Sequence, residues 1–289
     1  MEKSRRQFIK LAGTGMLAAG ATSIYLPSGE RPKKSFDPPE PAFRFGIGIA
    51  GYTFYQVPME TAIGIMKRVE VTNLSMKDIY MPLNSDQKSI ASVMNDFKSA
   101  GINVYTVGVI YMKTTQEADQ AFEYARMAGV KMIVGAPDYQ ILPYVEQKVK
   151  QYDFRLAIHN HGPDNPLYPN ATDIWDHIKD MDPRMGICLD IGHTIRDGHD
   201  PGIDAERYQS RLFDIHIKDV DKASKEGKTV EMGRGIINIP GFVDVLRRIG
   251  YKGMCSLEFE KDMNDPLAGI AESIGYLRGV MAGLSAPQQ

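Results

Sequence analysis

Cysteine and tryptophan are scarce in this chain of 289 residues, which contains two cysteines and one tryptophan. Cys188 and Cys255 fall inside predicted strands and point to opposite faces, so we expect no disulfide. Neither sign of charge dominates, because 34 lysines and arginines nearly balance 36 aspartates and glutamates, for a formal net charge of −2. The chain lacks the basic excess that nucleic-acid-binding surfaces carry, and we expect no nucleic acid among its partners.

Long apolar runs are also missing. The apolar run at residues 11–26 is shorter than the roughly 20 residues of a membrane-spanning helix and is rich in Gly, Ala and Thr. It follows Ser4-Arg5-Arg6-Gln7-Phe8-Ile9-Lys10, which resembles a twin-arginine export signal. We predict that residues 1–27 are a cleaved leader read by the twin-arginine export machinery. The mature protein would then be periplasmic or otherwise exported, with no stable membrane span; an uncleaved membrane anchor is the alternative.

Residues 28–42 contain several prolines and charges and predict an extended linker. From residue 43 to 284, predicted strands and helices alternate eight times. This alternation predicts an α/β fold with a parallel sheet, and eight units predict a single (β/α)8 TIM barrel. The alternative, an open doubly wound sheet, usually carries a G-x-G-x-x-G loop after its first strand, and no such loop follows Gly46 to Gly51.

Four of the predicted strands end in imidazole or carboxylate groups, namely Leu156 to His161, Ile187 to His193, Leu212 to Asp219 and Ser256 to Glu260. In each strand, apolar residues occupy one parity, and small or metal-competent residues occupy the other. The C-terminal ends of barrel strands meet at one face, which is where such enzymes build their active sites. We therefore expect these side chains to converge.

Four of these residues form a candidate metal site: His159, Asp190, His216 and Glu258. A mixed nitrogen and oxygen donor set suits Mn, Zn or Co, and a mostly oxygen set suits Mg. Each residue has another explanation, since the histidines are compatible with hydrogen bonding and Glu258 with a buried ion pair to Lys218. Burying all four groups without a cation would be costly, so we expect one divalent metal ion.

The motifs around these residues resemble the xylose isomerase-like TIM barrels of AP endonuclease family 2, over about residues 43–284. The shared motifs are Leu189-Asp190-Ile191-Gly192-His193, His216-Ile217-Lys218-Asp219, Gly233-Arg234-Gly235 and Glu258. This family includes sugar phosphate isomerases and epimerases, ketose 3-epimerases and inosose dehydratases.

The resemblance implies that Asp190, His216 and Glu258 bind metal, and that His193 and Arg234 contact substrate. Many members end the fifth strand in Glu-Asn-His, whereas this chain has His159 at the position of the glutamate. We therefore expect His159 to act as both ligand and catalytic base, with Glu258 serving the opposite side.

Further residues are expected to contact the substrate. These are His161, Lys218 and Lys77. Three aromatic residues are also able to stack on a sugar, namely Tyr80, Tyr111 and Trp175. Packing is the simpler role for Tyr80 and Trp175.

These features lead us to expect a metal-dependent sugar isomerase or epimerase that enolises a keto-sugar or related carbohydrate. A lyase, dehydratase or hydrolase acting on an oxidised (3-keto) glycoside is the alternative enzyme. A non-catalytic carbohydrate-binding barrel is the alternative from another class. Export favours a free sugar or glycoside derivative over a phosphorylated one.

Overall fold

The computed structural model describes residues 43–286. The predicted leader and the predicted linker therefore both lie outside the described residues. Ten strands are present in the described part of the chain: β1 Gly46–Ala50, β2 Asn73–Met76, β3 Asn103–Met112, β4 Met132–Pro137, β5 Arg155–His159, β6 Met185–Asp190, β7 Leu212–Ile217, β8 Asp219–Val220, β9 Thr229–Val230 and β10 Met254–Leu257.

Helices follow or connect the strands. Their bounds are α1 Met59–Arg68, α2 Gln87–Ser99, α3 Thr115–Ala128, α4 Leu142–Tyr152, α5 Ala171–Ile178, α6 Ile191–Arg196, α7 Pro201–Arg207, α8 Ile239–Arg248 and α9 Leu267–Ser285. Among residues 43–286, no helix combines the length and apolarity needed to cross a bilayer.

Eight of the strands form a closed parallel barrel in the order β1-β10-β7-β6-β5-β4-β3-β2. Helices lie between successive barrel strands and cover the outer face, and the apolar side chains between the two layers form the main core. The prediction of a single (β/α)8 barrel is confirmed. Strands β8 and β9 form a separate antiparallel pair in the long loop after β7.

The sixth and seventh strands are shorter than the sequence pattern predicts. Strand β6 ends at Asp190 because this residue caps α6, its Oδ1 accepting a hydrogen bond from the backbone N–H of His193 at 2.7 Å. Strand β7 ends at Ile217, and the chain after Lys218 pairs with β9 instead of continuing the barrel. Both strands therefore end at the C-terminal mouth of the barrel.

A polar contact spans the barrel interior below its C-terminal end. The hydroxyl of Tyr105 on β3 lies 3.1 and 2.9 Å from the two carboxylate oxygens of Asp214 on β7, and 2.7 Å from Oγ of Ser256 on β10. On β1, a Cβ at Gly48 would lie only 2.5 Å from Oγ of Ser256. Glycine at position 48 therefore allows β1 to pack closely against the Ser256 side chain. Burial raises the pKa of Asp214 to about 7.

We expect Tyr105→Phe to destabilise the barrel, because it leaves the buried Asp214 without its hydroxyl partner. The free energy of unfolding in urea should fall by about 1–3 kcal/mol, the cost of an unsatisfied buried polar group. Tyr55→Phe is the matched control, because Tyr55 is 53% exposed, and it should change stability by less than about 0.5 kcal/mol. Equal stabilities of the two variants would contradict this account.

Candidate active site

The four predicted metal ligands meet at the C-terminal mouth of the barrel. His159 and Asp190 are the last residues of β5 and β6, His216 is the penultimate residue of β7, and Glu258 directly follows β10. Their relative exposures are 2%, 0%, 1% and 4%, respectively. The parallel strands thus deliver one donor each to the same buried point, as their parity predicts.

The donor atoms lie close enough to share one ion. Nε2 of His159 is 3.1 Å from Nδ1 of His216 and 3.6 Å from Oδ2 of Asp190, and Nδ1 of His216 is 3.4 Å from Oε1 of Glu258. One ligand atom from each of the four residues lies within 4.8 Å of the other three. Two imidazole nitrogens and two carboxylate oxygens form a donor set that suits a divalent transition metal.

Lys218 is buried within this cluster instead of extending toward a substrate. Its ammonium lies 3.0 Å from Asp190 Oδ2, 2.7 Å from Glu258 Oε2 and 3.1 Å from Glu260 Oε1. The ion pair between Lys218 and Glu258, an alternative to metal ligation in the sequence, is therefore present together with the donor cluster. Two imidazoles and two carboxylates still share this space, and their donor chemistry fits a divalent cation.

The carboxylates respond differently to this environment. Burial acts to raise the pKa of both Asp190 and Glu258, but the Lys218 ammonium outweighs it and holds both carboxyls below their usual range. Burial raises the pKa of Glu260, which also lies near the charges of Glu258 and Asp190. Asp190 and Glu258 are thus kept ionised, as metal ligands must be.

Backbone and side-chain hydrogen bonds hold Asp190 in place from behind. Nδ2 of Asn160 donates to the carbonyl oxygen of Asp190 at 3.1 Å, and the backbone N–H of Asp190 donates to Oδ1 of Asn160 at 2.8 Å. The Thr194 hydroxyl donates to the same carbonyl oxygen at 2.7 Å. The asparagine of the His159-Asn160-His161 segment therefore braces the neighbouring strand end.

A cavity of about 350 Å³ opens onto the donor cluster. His159, His216 and Glu258 form part of its floor, and its walls include Tyr52, Lys77, Tyr111, His161, His193 and Glu260. The volume falls at the lower end of the range for small-molecule sites.

Three of the predicted substrate contacts line this cavity. Nε2 of His161 lies 2.6 Å from the hydroxyl of Tyr111, and the Lys77 ammonium donates to the carbonyl oxygen of Val109 at 2.9 Å. His193 lies at the rim, with its Nδ1 3.1 Å from Nη1 of Arg196. Burial lowers the pKa of His161 to about 3 and that of His193 to about 4, so both rings are neutral near pH 7.

The prediction that Arg234 contacts substrate does not match its placement. Its side chain is 63% exposed, and its guanidinium pairs with Glu272 on α9 at 2.5 Å. Oδ2 of Asp219 accepts hydrogen bonds from the backbone N–H groups of Gly233 at 3.0 Å and Gly235 at 2.9 Å. These bonds fix the loop so that Arg234 lies against the outer helix.

The remaining aromatic residues divide between packing and the cavity. The Tyr80 hydroxyl donates to the carbonyl oxygen of Val57 at 2.8 Å, and Trp175 packs against Tyr208 with ring centroids 5.5 Å apart. Neither lines the cavity, whereas Tyr111 does.

Two cavity residues whose side chains end in a carboxyl or hydroxyl group, Glu260 and Tyr52, were not predicted as site residues from the sequence. Glu260 shares the parity of Glu258 two residues earlier, a signal that identifies it in retrospect. Tyr52 follows β1 in a short 3₁₀ turn, Gly51–Phe54, and carries no motif that marks it.

Solved structures with the same fold include proteins of several kinds. An uncharacterized protein from Parabacteroides distasonis ATCC 8503 is 26% identical, with a TM-score of 0.64, over 82% of this chain and 99% of that one. A D-tagatose 3-epimerase-like protein has a TM-score of 0.67 at 16% identity, over 83% of this chain and 100% of that one. IOLI protein, solved with a zinc atom, has a TM-score of 0.66 at 13% identity, over 83% of this chain and 98% of that one. The last two likenesses show the fold alone.

Curated relatives match over shorter stretches. The rhizopine catabolism protein MocC of Rhizobium meliloti is 25% identical over 133 residues, which are 41% of this chain and 40% of that protein. The inosose dehydratase of Lacticaseibacillus casei is 24% identical over 130 residues, 40% of this chain and 43% of that protein. The chain thus spans less than half the length of these relatives. The sequence model of the xylose isomerase-like TIM barrels matches residues 110–280, more than half of the chain, and the protein belongs to this family.

Proposed function

We propose that this protein is a metal-dependent enzyme that enolises a keto-sugar or a related polyhydroxy carbonyl compound, and that it is an isomerase or epimerase. The observation that carries the proposal is the convergence of His159, Asp190, His216 and Glu258 beneath a cavity of about 350 Å³. The family context supports it, since the relatives and structural neighbours named above include a dehydratase and an epimerase-like protein.

A divalent metal held by these four residues would polarise a substrate carbonyl and its neighbouring hydroxyl, which acidifies the C–H beside the carbonyl. Lys218 keeps Asp190 and Glu258 ionised and holds their side chains in place. His161, His193 and Lys77 line the walls and would bind sugar hydroxyls and orient the ring. Tyr52 and Tyr111 supply aromatic surface for its C–H face.

The two sides of the cavity differ in chemistry. Glu258 and Glu260 provide carboxylates on one side, whereas His159, His161 and His193 provide imidazoles on the other. Glu258 is our candidate for the base that removes the proton beside the carbonyl, and His159 is the candidate on the opposite side. Return of the proton to the other carbon gives isomerisation, and return to the other face gives epimerisation.

A lyase or dehydratase is the second candidate, and the same asymmetry favours it. Epimerisation needs a proton-transferring group on each face of the substrate, and position 159 is an imidazole where a second carboxylate would serve. Elimination needs only one base, with a hydrogen-bond donor near the departing oxygen. The inosose dehydratase among the relatives supports this candidate.

Metal content tests the donor cluster directly. Purified protein should hold about one equivalent of a divalent metal by elemental analysis, and Asp190→Ala combined with His216→Ala should abolish it, because two of the four donors are lost. Asp176→Ala combined with His177→Ala is the matched control, since both residues lie on α5 outside the donor cluster. Equal, near-zero metal in wild type and the donor variant would refute the site.

His159 provides a test of the reaction. During turnover of free keto-sugars such as D-tagatose or D-fructose in deuterated buffer, we expect deuterium at the carbon beside the carbonyl. His159→Ala should lower this exchange about a hundredfold, the scale of a general acid–base contribution, and should affect substrate binding less. His159→Glu should retain metal, because a carboxylate oxygen takes the place of the imidazole nitrogen as ligand. NMR and mass spectrometry of the recovered sugar provide the measurement.

Two results of this experiment would count against the proposal. Exchange that is unaffected by His159→Ala would make the residue structural. Product without any solvent deuterium would favour direct hydride transfer between carbons. Loss of a leaving group from a 3-keto glycoside, with no exchange into free keto-sugars, would instead support the lyase.

We also propose that the protein is exported through the twin-arginine machinery, on the strength of Ser4-Arg5-Arg6-Gln7-Phe8-Ile9-Lys10 and the short apolar run after it. Arg5→Lys combined with Arg6→Lys should leave uncleaved precursor in the cytoplasm, because a receptor reads the pair and not the charge alone. Cell fractionation with immunoblotting measures this. Lys3→Arg is the matched control and should leave export unchanged. Normal export of the double variant would refute the signal.

A further inference from the structure

Arg196, the last residue of α6, contacts the cavity histidine His193 from behind. Its Nη1 lies 3.1 Å from Nδ1 of His193. A guanidinium is always protonated and has only donor groups, so it donates and Nδ1 must accept. An imidazole whose Nδ1 accepts a hydrogen bond carries its proton on Nε2. The contact therefore specifies one of the two neutral tautomers.

The Nδ1 edge of His193 is closed to ligands. Gly162, with φ +71°, lies against it, and a Cβ at this glycine would be only 3.2 Å from Nδ1 and 3.1 Å from the carbonyl oxygen of His193. The close approach and the left-handed backbone both favour glycine. Arg196 and Gly162 together cover this edge, and the ring still lines the cavity. Within residues 43–286 we find no hydrogen-bond partner for Nε2, which is the nitrogen left for the cavity.

Arg196 is itself held by the two flanking loops. Its Nη2 donates to Asp164 in the loop after β5 and to the carbonyl oxygen of Lys225 in the loop after β7, the latter at 2.5 Å. Only 13% of its side chain is exposed. Gly227 lies beside it, where a Cβ would be 3.2 Å from Cγ of Arg196. The guanidinium therefore has little freedom to leave His193.

We propose that Arg196 is a positioning residue that keeps His193 in the Nε2–H tautomer, so that His193 presents a hydrogen-bond donor to a substrate oxygen in the cavity. The substrate part of this inference rests on the proposed function. The tautomer part does not. Without the guanidinium, the ring is free to place its proton on either nitrogen or to rotate, and a fraction of molecules then presents a lone pair to the substrate oxygen instead of an N–H.

Histidine NMR tests the tautomer without any turnover. The chain has six histidines, so ¹⁵N-histidine labelling gives six imidazoles, and His193→Gln assigns the signal of interest by its loss. In the wild type at pH 7, long-range ¹H–¹⁵N correlations should show an unprotonated Nδ1 and a protonated Nε2 for His193. In Arg196→Met, the two nitrogen shifts should move toward each other, as in a mixture of tautomers. A wild-type His193 with a protonated Nδ1 would overturn the inference.

Asp164→Asn is the matched control. It weakens the hydrogen bond between Arg196 and Asp164 in the loop after β5 but leaves the Arg196 guanidinium in place to donate to His193. If Arg196 acts only as a structural link between loops, both variants should alter the His193 signal equally, and that result would overturn the proposal. Arg196→Lys serves if the methionine variant does not fold, because lysine keeps the charge but lacks the planar fork that reaches both partners. It should also mix the tautomers, and an unchanged His193 signal would overturn the proposal.

Turnover provides a second readout once a substrate is known. Arg196→Met should lower kcat/KM at least tenfold, with Asp164→Asn within about twofold of wild type. Equal losses in the two variants would count against a positioning role. Failure to find a substrate leaves the NMR result standing, so the outcome for Arg196 is separable from the outcome for the proposed function.

Discussion

The ammonium of Lys218 organises the mouth of this barrel. It lies within 3.1 Å of Asp190, Glu258 and Glu260, three carboxylates delivered by two different strand ends. Buried carboxylates at such separations repel one another and lose hydration, and each is costly to bury alone. Their attraction to one buried cation offsets this cost and holds the ends of β6 and β10 close to β7. The imidazole and carboxylate donors gathered there are what make the cluster suitable for a divalent metal.

Several site residues perform a structural task as well as a chemical one. Asp190 ends β6, caps α6 through the N–H of His193 and offers its other oxygen to the donor cluster. Asn160 fixes Asp190 through two hydrogen bonds across neighbouring strands. Because the helix start and the donor share one side chain, His193 and Arg196 on α6 are placed relative to the cluster by the same cap. The positions of His193 and Arg196 at the cavity wall therefore depend on the end of β6.

The asymmetry of the cavity bears most directly on the chemistry. Carboxylates lie on the side of β10, and neutral imidazoles lie on the side of β5 and α6. Neutral imidazoles donate and accept hydrogen bonds at pH 7 without carrying charge, so that side is better suited to orienting hydroxyl groups than to holding a second anion. The resemblance to the family implies a glutamate at position 159, and an imidazole there gives the donor cluster one fewer negative charge and a different proton-transferring group.

Local sequence determined much of this architecture. Alternating strands and helices predicted the eight-stranded barrel, and strand parity placed His159, Asp190, His216 and Glu258 on its inner face, because both patterns depend on neighbours two to four residues apart. Only the tertiary structure decided where long side chains go. The side chain of Lys218 points into the carboxylate cluster, and that of Arg234 points outward to Glu272. The direction of each side chain depends on which opposite charges other elements bring within its reach. The contact of Tyr105 with Asp214, 109 residues apart, was equally out of reach of the sequence, because barrel closure creates it.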